Sequence, residues 1–273
     1  MSASLQQLAR VRLVVICGFL AITAWLFWRG KTPDTLRCEG KAMGCSWTLL
    51  YRQKNHDRSM LTKEIQQVLD HWENVMSTWM EHSDLSRHNR GEKASADLQR
   101  VLDLAEQTRV DSRGAFDARV LDAVHRAGFA PAGQGIDLSG IGKGFAVDRV
   151  AEMLRAHGIN DFLFQLAGET IAGDRVWEVG VEAPDPASRR VTKTIWLQNQ
   201  AMATSGNYRQ FRHSDQGVQS HIIDPRTGRP VIRGFSAVTV IAHDAATADA
   251  WATALFVNGA RSGPSDTQVF WQE

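Results

Sequence analysis

The chain has almost no excess charge of either sign. Lys and Arg together number 31 against 30 for Asp and Glu, giving a formal net charge of +1. A nucleic-acid surface draws its affinity from a basic surplus, so that class is not indicated. Cysteine is scarce, with three in 273 residues. There is no CxxC pair and no Cys/His cluster at zinc spacing, which removes the common structural zinc sites. Cys17 lies in an apolar run. Cys38 and Cys45 either pair, if the domain is exported, or stay as free thiols. Gly-x-Ser-x-Gly is missing, as are internal repeats and low-complexity stretches. No Cys/His nucleophile pairing is evident. Hydrophobic content is 43%, near the average, and suits one good-sized globular domain or two small ones.

A full membrane-spanning run is also missing, but only narrowly. Residues 13–28, LVVICGFLAITAWLFW, are uncharged and flanked by Arg10, Arg12, Arg29 and Lys31. A spanning helix needs about 20 apolar residues and a signal core about 7–15. Trp25 and Trp28 suit the aromatic belt at a membrane interface. Ala24 is the one plausible cleavage residue, but Ile22 two before it is large. Ile16 and the apolar run beyond Cys17 speak against a lipoprotein. Residues 1–32 therefore read as an uncleaved anchor, with a cleaved signal as the alternative, and 33–273 as an exported domain. The flanking charges do not decide orientation.

Residues 31–42 are polar and read as a linker. Beyond them the pattern mixes short strands with helices. Strands are expected over 46–51, 162–166, 176–181, 191–197, 201–204 and 238–242. Helices are expected over 60–76, 95–109, 118–127, 145–157 and 245–257, with short turns in 76–91. Hairpin-like strand pairs with no βα alternation predict an α+β fold with a mixed or antiparallel sheet.

The stretch from Asp137 to Gly158, DLSGIGKGFAVDRVAEMLRAHG, places Gly140, Gly142, Lys143 and Gly144 before a helical pattern. A glycine loop at a helix N-terminus offers free N–H groups and a positive dipole end, an anion site, or else it is only a tight turn. With no Ser or Thr after Lys143 it is not a Walker loop, and its spacing is not the dinucleotide fingerprint. Asp249 and Thr253, four apart on one helix, present a carboxylate and a hydroxyl that suit a hard cation such as Mg²⁺. The alternative is a solvated helix face. His221 is a candidate base, or a plain hydrogen-bonded residue at a strand end. Thr204–Tyr208 lines a groove or turns the chain. Asp224, Pro225, Thr227 and Gly228 are turn formers.

Eight segments in order resemble the ApbE family of FAD:protein FMN transferases, covering most of 41–259. They are Met43–Trp47, Met76–Asn89, Gly114–Asp117, Asp137–Asp148, Ala167–Glu169, Ala203–Tyr208, Ser220–Pro230 and Ala248–Phe256. The resemblance implies a T-fold-related domain that cleaves the FAD pyrophosphate with Mg²⁺. FMN would pass to a Thr or Ser hydroxyl of an exported or membrane-bound redox protein, and AMP would leave. This matches a domain on the extracytoplasmic, periplasmic side of the inner membrane.

Position by position, the resemblance implies that Met43 and Trp79 pack on FAD. Ala115, Phe116 and Asp117 line its site, Asp137 and Lys143 bind it, and Ile223 meets the flavin. The Gly140 carbonyl, Asp249 and Thr253 would hold Mg²⁺, and His221 would be the base. Two other activities are compatible: an FAD pyrophosphohydrolase releasing FMN and AMP, and a non-catalytic FAD-holding assembly protein. Departures from the family pattern are Cys45 for the frequent Thr, Ala167 for Gly, a short 128–137 segment, and few residues after Gly259, so that the last helix and strand are expected to be curtailed.

Overall fold

Alternating side chains in the strands fix the layering of the molecule. The computed structural model describes residues 34–53, 55–214 and 217–273, so the expected anchor at 13–28 lies outside them. Leu36–Glu273 forms one compact unit. Strands β1 (Leu36–Ala42), β2 (Cys45–Tyr51), β3 (Phe162–Leu166) and β4 (Glu169–Ala172) come first along the main sheet. Strands β7 (Ala201–Gly206), β11 (Ala237–Ala242) and β12 (Gln268–Gln272) complete it, in the order β1-β2-β3-β4-β7-β11-β12. Every pairing in it is antiparallel.

On one face Trp47, Leu49, Phe162, Phe164, Leu166 and Ala201 join the main core. On the other, Leu50, Leu163, Met202 and Ile241 meet a hairpin of β5 (Trp177–Glu182) and β6 (Val191–Leu197), through Trp177, Val179 and Ile195. The period of two in side-chain direction is what divides neighbouring residues between these layers. β11 is buried along its whole length because both of its faces are covered. A small sheet of β8 (Phe211–Ser214), β9 (Gly217–Asp224) and β10 (Arg229–Ile232) stands beside them.

The helices lie on the core side. In α1 (Arg58–Met76) Leu61, Ile65, Leu69, Trp72, Val75 and Met76 recur at helical spacing and are buried, and the Asp57 carboxylate accepts from the first-turn N–H groups of Ser59 and Met60. Helices α2 (Asp84–Asn89), α3 (Ala96–Asp111) and α4 (Leu121–Arg126) follow. α5 (Gly142–Ala156) and α6 (Ala245–Asn258) form the centre. α6 is buried on nearly every side, begins at an Asp244 cap and ends at Gly259 with φ 74°. Its alanines keep it thin enough to sit between α5 and the sheet. Among the described residues no helix is long and apolar enough to cross a membrane.

The α+β class with antiparallel pairing is found as the pattern predicts. Several local expectations are corrected. Residues 36–42, read as linker, form β1, and Gly40 lies there opposite Trp47, where a Cβ would come within 2.7 Å of the indole. The polar run hid the strand because its buried positions are few. Helix α5 starts at Gly142, not Phe145, so Gly142 and Gly144 are helical residues and not loop. The chain after Gly259 does form a last strand, β12, against β11. Cys38 and Cys45 are free thiols, and Cys38 stands opposite Leu49.

Two substitutions test this packing. A Cβ on Gly144 would lie 2.2 Å from the Ala245 carbonyl oxygen and 2.8 Å from the Asp249 Cβ. Gly144→Ala is therefore expected to destabilise by about 2 kcal/mol or more, read as a lowered midpoint in chemical denaturation. Ala167 holds φ 53° in the turn between β3 and β4. Left-handed backbone costs a residue with a Cβ roughly 1–2 kcal/mol, so Ala167→Gly should raise the midpoint slightly despite glycine's entropy. A clear fall would contradict the strain.

Candidate active site

Gly144 brings α5 onto α6, and the same contact places chemistry there. The Gly144 N–H belongs to the first turn of α5, among the helix-start N–H groups that have no intrahelical acceptor. It donates to Asp249 Oδ2 at 3.0 Å. A Cβ on Gly140 would lie 3.1 Å from Thr253 Oγ1 and 3.3 Å from the Phe116 ring. Gly140, Asp249 and Thr253 thus converge at one end of the α5–α6 contact, and Ser205 of β7 joins them through a 3.2 Å contact between its Oγ and Thr253 Oγ1.

Lys143 projects from the same turn. Its Nζ donates to Glu169 Oε1 at 2.8 Å. Asp249 and Glu169 are both 3% exposed. Burial pushes the Lys143 ammonium down, but the two carboxylates more than reverse this, so its pKa is raised and it stays charged. Burial pushes the Glu169 carboxyl up to about 7 against the pull of Lys143, and raises Asp249 as well. One ammonium cannot balance two carboxylates in a dry site. The surplus negative charge, with a hydroxyl and a backbone carbonyl beside it, is an oxygen donor set that fits a hard divalent cation. Among the described residues no three His, Cys, Asp or Glu side chains form a metal cluster, so any such site rests on mixed donors.

The anion reading of the glycine stretch changes accordingly. Gly144 N–H is taken by Asp249, and Lys143 faces acids. The turn already holds its anion, a carboxylate from α6.

His221, on β9, is half-buried. Its Nδ1 lies 3.1 Å from the Gln210 carbonyl oxygen. A carbonyl only accepts, so Nδ1 carries the hydrogen and Nε2 keeps its lone pair. Burial pushes the imidazole pKa below 6.5, and the positive Lys143 adds to the fall while Asp137 opposes it. Phe129 packs edge-on against the ring at 6.0 Å. Ile223, two residues along β9, is buried among Leu121, Val124 and Ala130 of the α4 region. Its side chain serves packing there.

The remaining predicted residues are spread around this centre. Asp137 is buried, its carboxylate accepting from Ser139 N–H at 2.8 Å and its own N–H donating to the Ala118 carbonyl at 2.7 Å. Asn89 clamps the residue before it, donating to the Ile136 carbonyl at 2.8 Å and accepting from its N–H at 2.9 Å. The short 128–137 segment is thereby anchored. Ala115 and Phe116 are buried in the main core. Asp117 pairs with Arg119 through both oxygens; burial alone would raise its pKa, but Arg119 holds it below the ordinary value. Met43 turns β1 into β2 with φ 52°, its N–H donating to Glu73 Oε2 at 2.9 Å. Trp79 is 71% exposed, an indole with nothing packed over it.

Two participants were not assigned from sequence. Glu169 was seen only as the end of a short motif, although a buried lysine demands an acid near it. Ser205 lay in a stretch read as groove or turn. Its neighbour Asn207 is fully buried and structural, donating to the carbonyls of Arg233 and Gly234 and accepting from Ser236 N–H.

Comparison with known proteins agrees with this architecture. The model of the ApbE family matches residues 43–135 and 129–268. A curated FAD:protein FMN transferase from Vibrio cholerae is 30% identical, covering 85% of this chain and 84% of the relative. One from Haemophilus influenzae is 29% identical over 90% and 87%. The solved structure of the flavin transferase ApbE from Vibrio cholerae superposes with a TM-score of 0.71 at 26% identity, covering 88% of this chain and 97% of that one. The apo flavinyl transferase ApbE of Pseudomonas stutzeri, at 24% identity and a TM-score of 0.74, shares the fold. Matched by the family model from residue 43 to residue 268, this chain belongs to the ApbE family.

Proposed function

We propose that the chain is an FAD:protein FMN transferase that uses Mg²⁺. The observation that supports this is the approach of Thr253 to Gly140 and of Asp249 to Gly144 at the start of α5, in a site rich in carboxylates. The Gly140 carbonyl, Asp249 and Thr253 would hold the cation, which when bound neutralises charge on the non-bridging pyrophosphate oxygens. The chain's own groups do the rest. Asp137 and Lys143 contribute to FAD binding beside the cation. Met43, Ala115, Phe116, Asp117 and Ile223 shape the surrounding pocket, and Trp79 offers an uncovered ring for the flavin or adenine. His221 takes the proton of the incoming Thr or Ser hydroxyl on Nε2, because Nδ1 is fixed to Gln210. FMN is transferred and AMP leaves. Residues 13–28 anchor the enzyme in the inner membrane, with the domain on the periplasmic side and an exported or membrane-bound redox protein as target.

With FAD, Mg²⁺ and a target domain, the protein should yield a fluorescent target band that survives denaturation. Release of free FMN and AMP with no labelled band would instead assign FAD hydrolysis. Asp249→Asn keeps an oxygen for the Gly144 N–H, and Thr253→Val keeps the shape. Both should retain the melting temperature while activity falls by at least about 100-fold. Full activity in either would remove the cation assignment.

Because burial lowers the His221 pKa, its imidazole is neutral at neutral pH and Nε2 is lost as a base only when the pH drops below 6.5. Transfer should show an acid limb in that range. In His221→Ala the limb should disappear, with kcat down by about 10²–10⁴.

A further inference from the structure

Glu169 is the most deeply placed charged group around the site that the reaction itself does not use. It stands at the start of β4, opposite Leu166 across the turn that Ala167 strains into positive φ. Its Oε1 accepts from Lys143 Nζ at 2.8 Å, while its Oε2 is buried and has no hydrogen-bond partner. A buried carboxylate oxygen left without a donor is costly, so it calls for one. Lys143 sits one residue before the Gly144 N–H that holds Asp249, so its ammonium feels both carboxylates. The ammonium itself is paired with Glu169 and makes no ion pair with Asp249, the carboxylate a divalent cation would take.

We propose that Glu169 is a positioning residue that draws the Lys143 ammonium aside and so frees Asp249 for a divalent cation. This rests on the reading of Gly140, Asp249 and Thr253 as the cation site. The unpartnered Oε2 is a second acceptor that Glu169 holds for the same ammonium, away from Asp249. The charges agree. Lys143 and Glu169 cancel, and Asp249 is left with one negative charge for the cation. With Glu169→Gln the sum over the three groups is zero, the ammonium turns to Asp249, and it competes with the cation. Removing both partners of the pair restores the single negative charge.

The test is Mn²⁺ binding to the full chain, without FAD, followed by electron paramagnetic resonance of the free ion. Manganese prefers the same all-oxygen octahedral donors as magnesium. Glu169→Gln should weaken Mn²⁺ binding by about 10–100-fold, the usual effect of losing a group that supports a metal ligand. The double variant Lys143→Met/Glu169→Gln contains no unpaired buried ammonium, so it folds even where the single variant is unstable. Its affinity should return to within about threefold of the unsubstituted protein, a rescue that a merely structural role or direct ligation by Glu169 would not give.

Asp249→Asn separates the two ideas. If it binds Mn²⁺ as tightly as the unsubstituted chain, the cation site is wrong and the role of Glu169 falls with it. If it loses binding while Glu169→Gln retains full affinity, or if the double variant stays as weak as the single one, only the role of Glu169 is overturned.

Discussion

One hydrogen bond organises the centre of this molecule: the first-turn N–H of Gly144 donating to the Asp249 carboxylate on the neighbouring helix. Helix N-termini attract anions because their N–H groups lack intrahelical partners. Here a side chain from the same fold fills that role, so two helices meet at backbone distance. Such closeness needs a hydrogen in place of a methyl group at Gly144 and small residues along α6. The packing contact and the proposed cation site therefore share the same few residues.

The antiparallel sheet supplies the other half of the site. Ser205 on β7 reaches Thr253, and Glu169 on β4 reaches Lys143. The small sheet carries His221 with its tautomer fixed from outside the ring. Loops contribute less than the motif positions imply, because several motif residues hold the chain. Asn89 and Asn207 each clamp a backbone segment in place with both ends of the amide.

Much of this was readable from residue order, and the reasons for the rest are physical. Helix α1 is legible through Ile65, Leu69, Trp72 and Met76 on one face, and β3 through its apolar run. β1 escaped notice because it is an edge strand with polar outward residues, where tertiary pairing overrides composition. The start of α5 was placed three residues late because glycines there read as loop, while their actual reason is contact with α6. Asp249 and Thr253 were findable from their spacing of four. Their convergence on Gly140 was not, since more than a hundred residues separate them along the chain. Glu169 shows the same limit: an acid that answers a buried lysine 26 residues away carries no local signature.

The two central helices are tied a second time, in the reverse sense. Asp148 of α5 accepts from the N–H groups of Ala245 and Ala246 at 2.8 and 2.9 Å, so it caps the start of α6 as Asp249 caps the start of α5. Each helix thus lends the other a terminus. A single residue inserted between Gly144 and Asp148, or between Ala246 and Asp249, would rotate everything beyond it by about 100° and unseat one of the two caps. The pair can change in length only beyond these contacts. The interval between each cap donor and its acid behaves as a fixed gauge.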